Sequence, residues 1–323
     1  MQRRTGLNLL AAAALAAACT GAWAETYPGN KPVKIIVGFQ AGGPTDVVAR
    51  LVAKALQDEL KGAFIVENRP GATSNIASEM VAAAKPDGYT LLLAAAPLAM
   101  NKFVFPKQKF DPLTSFEPIS KISSAPGVFA VSLKVPAKSF KEFQAYAKQN
   151  PGKLTYATTG AGGTQHMATL RLEQLADIQM LHVPYSGGSG ALNDLIAGVT
   201  DSAFMTSTGA MPNLEAGKVR PLAVAGPQRL PGLPNVPTFA ELGLPGMVSD
   251  SWNALLAPAG TPRDIVERLA AAVAKAARSE DFKKTLIPQG AVLIGNSPVE
   301  FKSELHAEVA HWTEQFKKFN IEK

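Results

Sequence analysis

The feature that most constrains the fold is a pair of glycine-rich turns, each between an apolar run typical of a strand and a pattern typical of a helix. Residues 40–46 follow the apolar run 33–39, and residues 160–164 follow a second apolar run at 154–159. Glycine lets the backbone approach a ligand closely, and a helix N-terminus presents free N–H groups at the positive end of its dipole. Each turn therefore suits an anion, and we predict a cleft that holds one from both sides.

The rest of the chain continues this alternation of strand-like and helix-like segments, which indicates an α/β fold. Further strand patterns lie at 64–67, 89–94, 127–133, 180–183, 201–205, 222–225 and 254–257, and helix patterns lie at 45–60, 74–84, 140–148, 164–175, 190–197, 262–278 and 298–319. Thr261 and Ser297 precede the last two helices and are the predicted N-caps. We expect two domains, one formed by 25–128 with 250–323 and the other by 129–249, and C-terminal helices that return to the first.

The N-terminus has the pattern of a secretory signal peptide, predicted at residues 1–24. Two arginines precede a short apolar run at 9–18, and residues 22–24 read Ala-Trp-Ala, which is typical of a cleavage site. The run is too short to span a membrane, so we predict an exported protein cut after Ala24. Cys19 is the one cysteine of the chain, and a partial lipoprotein pattern before it leaves lipidation as the alternative.

Composition argues against several classes of partner. The chain has a net charge of +6 without a dense run of Lys or Arg, and only 7% of its residues are aromatic, whereas nucleic-acid binding needs a basic surface. Its four histidines are dispersed and form no zinc-binding pattern. The glycine turns lack the spacing of a dinucleotide site or a P-loop. We therefore expect no nucleic acid, no metal and no cofactor.

Six short motifs, in order along the chain, resemble one protein family. They lie at 42–50, 68–72, 86–92, 160–166, 183–188 and 257–262, so they cover nearly the whole chain beyond the signal peptide. Together they resemble the Bug-type, or TctC-like, periplasmic receptors, which are the solute-binding components of tripartite tricarboxylate transporters. The resemblance implies a two-domain periplasmic-binding-protein architecture (Venus-flytrap, type II) with an interdomain ligand cleft. It also implies capture of a small carboxylate for membrane transporter subunits, in the periplasm and without a chemical step.

Two alternative functions stay open at this point. Residues 187–191 approach the G-x-S-x-G motif of serine hydrolases, although Ala191 occupies the last position. A secreted hydrolase using Ser189 would also need a downstream acid and a histidine, which His306 or His311 would have to supply. A ligand-sensing receptor for a membrane signalling protein would share the fold and compartment of a transport receptor. For either receptor role we expect a monomer.

The residues predicted to bind the ligand lie in the two glycine turns and in segments that the resemblance places at the cleft. Threonines are favoured because a hydroxyl donates to a carboxylate without adding charge. Asp46 is better explained as an acid that favours the helix dipole, and His166 is equally a donor or a packing residue. The predicted set is Gln40, Gly42, Gly43, Thr45, Asp46, Asn68, Ala72, Ala95, Thr158, Thr159, Gly162, Thr164, His166, Tyr185 and Met205.

The sequence departs from the family pattern at two positions of the cleft. Met205-Thr206-Ser207 stands where many members carry an acidic residue, and Asn253 follows Trp252 where the family often has glycine. A buried ammonium group needs an acidic or carbonyl partner. We therefore predict a ligand without an amino group, either a monocarboxylate or a dicarboxylate.

Overall fold

The structure is a computed structural model and describes residues 27–319. The predicted signal peptide and Cys19 lie outside this range. Among the residues described, no helix combines the length and the apolar character that crossing a membrane requires.

Ten strands form one sheet in the order β2-β1-β3-β9-β4-β7-β5-β6, and β8 and β10 also pair with β4. The strands are β1 (Val33–Val37), β2 (Phe64–Asn68), β3 (Thr90–Ala95), β4 (Phe116–Val131), β5 (Thr155–Thr158), β6 (Leu181–Pro184), β7 (Ser202–Thr206), β8 (Arg220–Ala225), β9 (Asp250–Pro258) and β10 (Val292–Leu293). The α-helices are α1 (Pro44–Leu60), α2 (Asn75–Ala82), α3 (Asn101–Val104), α4 (Phe140–Gln149), α5 (Thr164–Ala176), α6 (Gly188–Ala197), α7 (Ser207–Glu215), α8 (Arg263–Ala277), α9 (Glu280–Leu286) and α10 (Pro298–Phe319). Two short 3₁₀ turns lie at Ala72–Ser74 and Ala96–Ala99.

The long strand β4 divides the sheet into two lobes. Up to Pro126 it pairs with β9, and from Gly127 onward it pairs with β7 and β8. We call the part with β1, β2, β3, β9 and β10 the first lobe, and the part with β5 to β8 the second lobe. The chain returns to the first lobe at the start of β9, where Asp250 pairs with Pro126.

The sheet of the first lobe is buried on both faces. Successive side chains of a strand point to opposite faces, and Ile35 accordingly packs with α1, α8 and α9 while Ile36 packs with α2 and α10. Leu91 and Leu92 of β3 alternate in the same way. Burial on both faces explains the near-continuous apolar run of β1. The C-terminal helices return to the first lobe, as predicted.

The second lobe repeats this layering around the second part of β4. Phe129 packs with α4 and α5 on one face, whereas Val128 packs with α6 and α7 on the other. The ring centroid of Phe129 lies 5.0 Å from that of Phe143 and 5.1 Å from that of Phe204. These aromatic contacts fix the end of the strand that joins the lobes.

Several elements differ from the sequence prediction: α3, α9 and β10 were not predicted, and β4 and α7 differ for physical reasons. Strand β4 begins at Phe116 rather than at residue 127, because its first part carries register shifts at Pro118/Ser120 and Lys121/Ser123 that break the alternating pattern of a strand. Helix α7 is absent from the prediction because Pro212 lies inside it, and proline normally ends a helical pattern.

One predicted helix cap is wrong and one is confirmed. Thr261 does not cap α8, since its Oγ1 donates to the carbonyl of Pro258 at 2.7 Å and the helix begins after Pro262. Ser297 does cap α10. Its Oγ accepts from the N–H of Glu300 at 3.3 Å, and its own N–H donates to Glu300 Oε2 at 2.8 Å. This reciprocal pair is a capping box.

Candidate functional site

A cavity of ≈ 400 Å³ lies between the two lobes. Its lining residues lie at the carboxyl ends of β1 and β3 in the first lobe and of β5 and β7 in the second. Further lining residues lie near the start of β9. Open α/β sheets bind their ligands outside the carboxyl ends of their strands. The volume falls in the range of about 300–1,000 Å³ that small-molecule sites occupy. The position and size of the cavity therefore mark it as the candidate binding site.

Four helices begin at this cavity. Their first turns contribute lining residues from both lobes: Pro44 and Thr45 of α1, Thr164 and Gln165 of α5, Gly188 and Ser189 of α6, and Thr208 and Gly209 of α7. None of these four N-termini has a side-chain cap hydrogen bond. Their uncapped N–H groups and the positive ends of their dipoles favour an anion in the cavity.

The lining itself is uncharged. None of the described residues that line the cavity is an Asp, Glu, Lys, Arg or His. Two lining residues have a buried polar atom without a hydrogen-bond partner among the described residues, Thr164 Oγ1 and Asn253 Oδ1. Buried polar atoms are nearly always paired, so these two atoms are available to a bound molecule.

The first glycine turn is fixed by Asp46, which is buried just behind it. Oδ2 of Asp46 accepts from the N–H of Gly42 at 2.9 Å and from Arg50 Nε at 2.8 Å, and Oδ1 accepts from Asn68 Nδ2 at 2.9 Å. Burial acts to raise the pKa of Asp46, but the hydrogen bonds from Arg50, Gly42 and Asn68 outweigh it and hold the pKa below its usual value. Asp46 is therefore an ionised anchor for the turn.

The second glycine turn is fixed in the same way by His166. The N–H of Gly162 donates to His166 Nδ1 at 2.9 Å, four residues along the chain, as Gly42 does to Asp46. Burial, followed by the neighbouring His182, lowers the pKa of His166 to about 4. The rings of His166 and His182 stack with centroids 4.0 Å apart, and His182 Nε2 lies 2.7 Å from Thr158 Oγ1. A neutral histidine pair therefore supports this turn from behind.

The two turns also share their backbone conformation. Gly42 and Gly162 have φ angles of 80° and 70°, in the left-handed region that favours glycine. Gly43 and Gly163, the two N-cap residues, are extended with ψ angles of 169° and 170°. The structure thus contains the same glycine turn twice, once in each lobe.

Most of the predicted site residues line the cavity. They come from both lobes: Gln40, Gly42, Gly43, Thr45, Ala95, Thr158, Thr159, Thr164 and Met205. The remaining predicted residues are outside the lining: Asp46, Asn68, Ala72, Gly162, His166 and Tyr185. Direct contact with a ligand stays a prediction for every member of the set.

The predicted residues outside the lining have other partners or positions. Asp46, Asn68, Gly162 and His166 belong to the hydrogen bonds that fix the two turns. Ala72 is exposed in a 3₁₀ turn. The hydroxyl of Tyr185 donates to Asp194 Oδ2 at 2.6 Å, which directs it along α6.

Sequence reasoning missed the contribution of α7. Thr208 and Gly209 line the cavity from its first turn, but the helix itself was hidden by Pro212. The signal that could have revealed it is the strand pattern at 201–205 followed at once by small residues, which matches the other strand-to-helix turns. Asn253 was noted only as a departure from the family pattern, yet it is one of the residues that line the cavity.

Ser189, the nucleophile of the hydrolase alternative, lies in the lining without a histidine beside it. None of the four histidines, all within the described residues, lines the cavity. His166 and His182 stack on each other behind the second turn, and His306 and His311 lie on α10 of the first lobe.

The sequence matches the family described as "Tripartite tricarboxylate transporter family receptor" over residues 48–320. The chain belongs to this family. The receptor is 32% identical to BugT of Bordetella pertussis over 291 residues, which is 90% of this chain and 89% of BugT. The predicted family is therefore confirmed.

Solved structures resemble the receptor over nearly its whole length. The periplasmic binding protein BugD is 33% identical over 92% of this chain and 100% of its own, with a TM-score of 0.87. A Rhodopseudomonas palustris protein, Rpa4515, solved with adipate, is 34% identical over 91% of this chain and 98% of its own, with a TM-score of 0.87. MatC from the same organism, with bound malate, is 33% identical over 90% and 99%, with a TM-score of 0.83. These likenesses confirm the predicted periplasmic-binding-protein fold.

Proposed function

We propose that this receptor binds a small mono- or dicarboxylate without an amino group in the cavity between its lobes and delivers it to transporter subunits in the membrane. The observation that carries the proposal is that four uncapped helix N-termini meet at a cavity whose lining contains no ionisable side chain. Carboxylates are among the anions that such neutral donors bind well, and the family and the ligands of the solved relatives favour a carboxylate.

The arrangement of donors favours a carboxylate at each turn. Thr45 of α1 and Thr164 of α5 line the cavity from opposite lobes, and each hydroxyl can donate beside the backbone N–H groups of its helix. Apolar side chains such as Phe39, Leu192 and Phe204 also line the cavity. A short carbon chain with an anionic group at one or both ends would match this distribution of polar and apolar surface.

An amino-acid ligand fits less well. Its ammonium group would need a carboxylate or carbonyl partner once it is buried. Met205 occupies the position where an acid would supply one, and both oxygens of Asp46 accept hydrogen bonds from Gly42, Arg50 and Asn68. A bound ammonium would therefore find neutral acceptors such as Asn253 Oδ1 in the lining, but no charged partner.

The solved relatives support the same class of ligand, since adipate and malate are both dicarboxylates. We further propose that the receptor works in the periplasm as a monomer after cleavage following Ala24. Its two domains are 25–128 with 250–323 and 129–249. The change of partner strand along β4 at Gly127 and the return at Asp250 support this division.

We propose no chemical step for this site. Ser189 would need a general base within hydrogen-bond reach to act as a nucleophile, and the histidines of the described residues lie elsewhere. Labelling of Ser189 by a fluorophosphonate, with esterase activity that Ser189→Ala abolishes, would establish the hydrolase instead.

A thermal-shift screen of the chain from Glu25 onward tests the ligand class, because a ligand that binds only the folded state raises the melting temperature. The panel contains succinate, glutarate, adipate and malate, and calorimetry then compares succinate with aspartate and glutarate with glutamate. We expect a dicarboxylate to bind and its 2-amino analogue to bind more weakly. Binding of the amino analogue alone would overturn the ligand class, and the absence of any carboxylate ligand would overturn the proposed function.

A further inference from the structure

Glycines of the second lobe lie directly against side chains of the first lobe at several points around the cavity. At each point, a Cβ built on the glycine would come within 3.3 Å of the opposite side chain or overlap it. The pairs are Gly160 with Thr73, Gly162 with Val104, Gly187 with Gln40, and Gly209 with Pro44. The lobes therefore approach each other where the second lobe has no side chain.

A Cβ on Gly162 would overlap Val104 more closely, but Gly162 has a positive φ. The contact between Gly209 and Pro44 is therefore the one that a substitution tests without backbone strain. A Cβ on Gly209 would lie 2.5 Å from Pro44 Cγ and 3.4 Å from Pro44 Cδ. Pro44 is held in a ring at the start of α1, next to the fixed turn of Gly42 and Asp46, so it cannot rotate away. Both residues line the cavity from opposite lobes.

This contact depends on how far the lobes close. The chain passes between them within β4 at Gly127 and again before β9 at Asp250. Periplasmic binding proteins hinge about such connections to close on a ligand. Opening about this hinge separates Pro44 from Gly209, since the two residues sit on different lobes.

We propose that Gly209 is a closure-determining residue: its missing side chain lets α7 meet Pro44, and this approach allows the lobes to close over a carboxylate. The proposal rests on the proposed function, because it assumes that closure serves carboxylate binding. It goes further by assigning closure to the missing side chain of Gly209 rather than to a group that contacts the ligand.

The variant Gly209→Ala tests closure of the lobes without impairing the folding of the second lobe. Gly209 lies inside α7 and its φ is not positive, so alanine suits the local backbone and has the higher helix propensity. The substitution therefore does not destabilise the second lobe itself. Only the closed arrangement meets the added methyl group, and overpacking against a rigid neighbour is destabilising.

The matched control is Gly190→Ala. Gly190 also lies in a helix of the second lobe, and a Cβ there would meet Tyr185 Cδ1 of the same lobe at 3.3 Å. Pro44→Ala completes a double-mutant cycle with Gly209→Ala, since it removes the ring carbon that the new methyl group would meet.

The binding measurement uses the tighter binder of adipate and malate. We expect Gly209→Ala to weaken the affinity for this ligand at least about tenfold and Gly190→Ala to leave it unchanged. Adding Pro44→Ala to Gly209→Ala should restore a large part of the lost affinity. Unchanged affinity in Gly209→Ala, or purely additive effects in the cycle, would overturn the closure role and leave the proposed function intact.

A second measurement does not depend on a ligand. Spin labels on Lys85→Cys in the first lobe and Lys148→Cys in the second, both exposed positions, report the separation of the lobes in the chain from Glu25 onward. We expect Gly209→Ala to lengthen this distance relative to both wild type and Gly190→Ala. If neither adipate nor malate binds, the label distances still test the closure role, and equal distances would overturn it.

Discussion

The backbone N–H of Gly162 donates a hydrogen bond to Nδ1 of His166 at 2.9 Å. A ring nitrogen accepts only while it carries no proton, and burial, with His182 beside it, lowers the pKa of His166 to about 4. The second lobe therefore fixes its glycine turn with a neutral histidine, where the first lobe uses the ionised Asp46.

Acid should destabilise the receptor, and His166→Asn should remove part of this effect. Because the pKa of about 4 in the folded protein lies below the ordinary histidine value of 6.5, the unfolded chain takes up a proton first. The stability contributed by neutral His166 is therefore fully present above about pH 6.5 and is lost as pH falls toward 4. The loss is at most about 3 kcal/mol of unfolding free energy. Asparagine retains an acceptor for Gly162 but does not titrate.

Urea unfolding across about pH 4 to 8 measures this difference. His306→Asn, at an exposed position of α10, serves as the control and should follow wild type. If His166→Asn lost stability on acidification as steeply as wild type, the neutral histidine would not be the titrating group.

Thr164→Val should weaken carboxylate binding without weakening the fold. Thr164 Oγ1 is buried at the cavity and has no hydrogen-bond partner among the described residues. Valine has the same shape, so the unliganded protein should melt at the wild-type temperature or slightly above. Loss of a hydrogen bond to a charged group costs about 1.5–3 kcal/mol, which corresponds to about 10- to 100-fold in affinity.

Calorimetry with adipate or malate, together with a thermal melt of the free protein, tests this separation. Thr169→Val is the control on the same helix, since the hydroxyl of Thr169 donates to the carbonyl of Gln165 at 2.9 Å. The control should lose some stability and keep its affinity. Equal affinity of Thr164→Val and wild type would show that this hydroxyl does not reach the ligand.

Glu308 should make the receptor less stable as pH rises. Trp252 Nε1 donates to Glu308 Oε2 at 2.6 Å, and burial, opposed by this bond and one from Trp312, raises the pKa of Glu308 to about 7. Since this pKa exceeds the ordinary glutamate value of 4.5, the stability contributed by protonated Glu308 is fully present below about pH 4.5 and is lost as pH rises toward 7. Glu308→Gln keeps the acceptor for Trp252 and does not ionise.

We therefore expect Glu308→Gln to exceed wild type in stability at about pH 8 and to match it near pH 4.5. Denaturant unfolding, monitored by tryptophan fluorescence, measures the unfolding free energy at both pH values. The control is Glu314→Gln, which alters an exposed ion pair with Lys317 on the same helix. It should leave the unfolding free energy unchanged at both pH values. A variant less stable than wild type at high pH would indicate that the ionised carboxylate is needed.

The strand-turn-helix units could be predicted because each carries its own local signal. The apolar run of β1, the glycine turn and the periodic pattern of α1 follow one another without interruption, and the same holds for β5 and α5. Strand β4 and helix α7 could not be predicted in full. The register shifts of β4 and the proline of α7 are tolerated only because neighbouring elements hold these segments in place.

The site was predictable in its position and less so in its division of roles. Thr45 and Thr164 follow glycine turns, and such hydroxyls point to an anion site. The sequence does not show that Asp46 and His166 turn back onto Gly42 and Gly162, because an acceptor on the first turn of a helix can face either the turn or the cavity. In both lobes the acceptor follows its glycine by four residues, and this shared spacing was the clue in the sequence. The hydrogen bonds show that each acceptor binds the N–H of that glycine.

The charge at position 205 should decide between carboxylates and amino acids. Met205 lines the cavity and is 9% exposed. Two like charges about 5 Å apart repel by about 3 kcal/mol at an effective dielectric constant of about 20. Met205→Asp should therefore weaken adipate or malate binding by about two orders of magnitude, while glutamate and aspartate gain a partner for their ammonium groups.

Met205→Asn separates charge from shape, because asparagine has nearly the shape of aspartate without its charge. Calorimetry of both variants with glutarate and glutamate measures the effect. We expect the ratio of glutarate to glutamate affinity to fall strongly in Met205→Asp and to change much less in Met205→Asn. Equal ratios in the two variants would mean that the charge at this position does not govern the choice of ligand, and that the preference comes from the backbone and hydroxyl donors of the two turns.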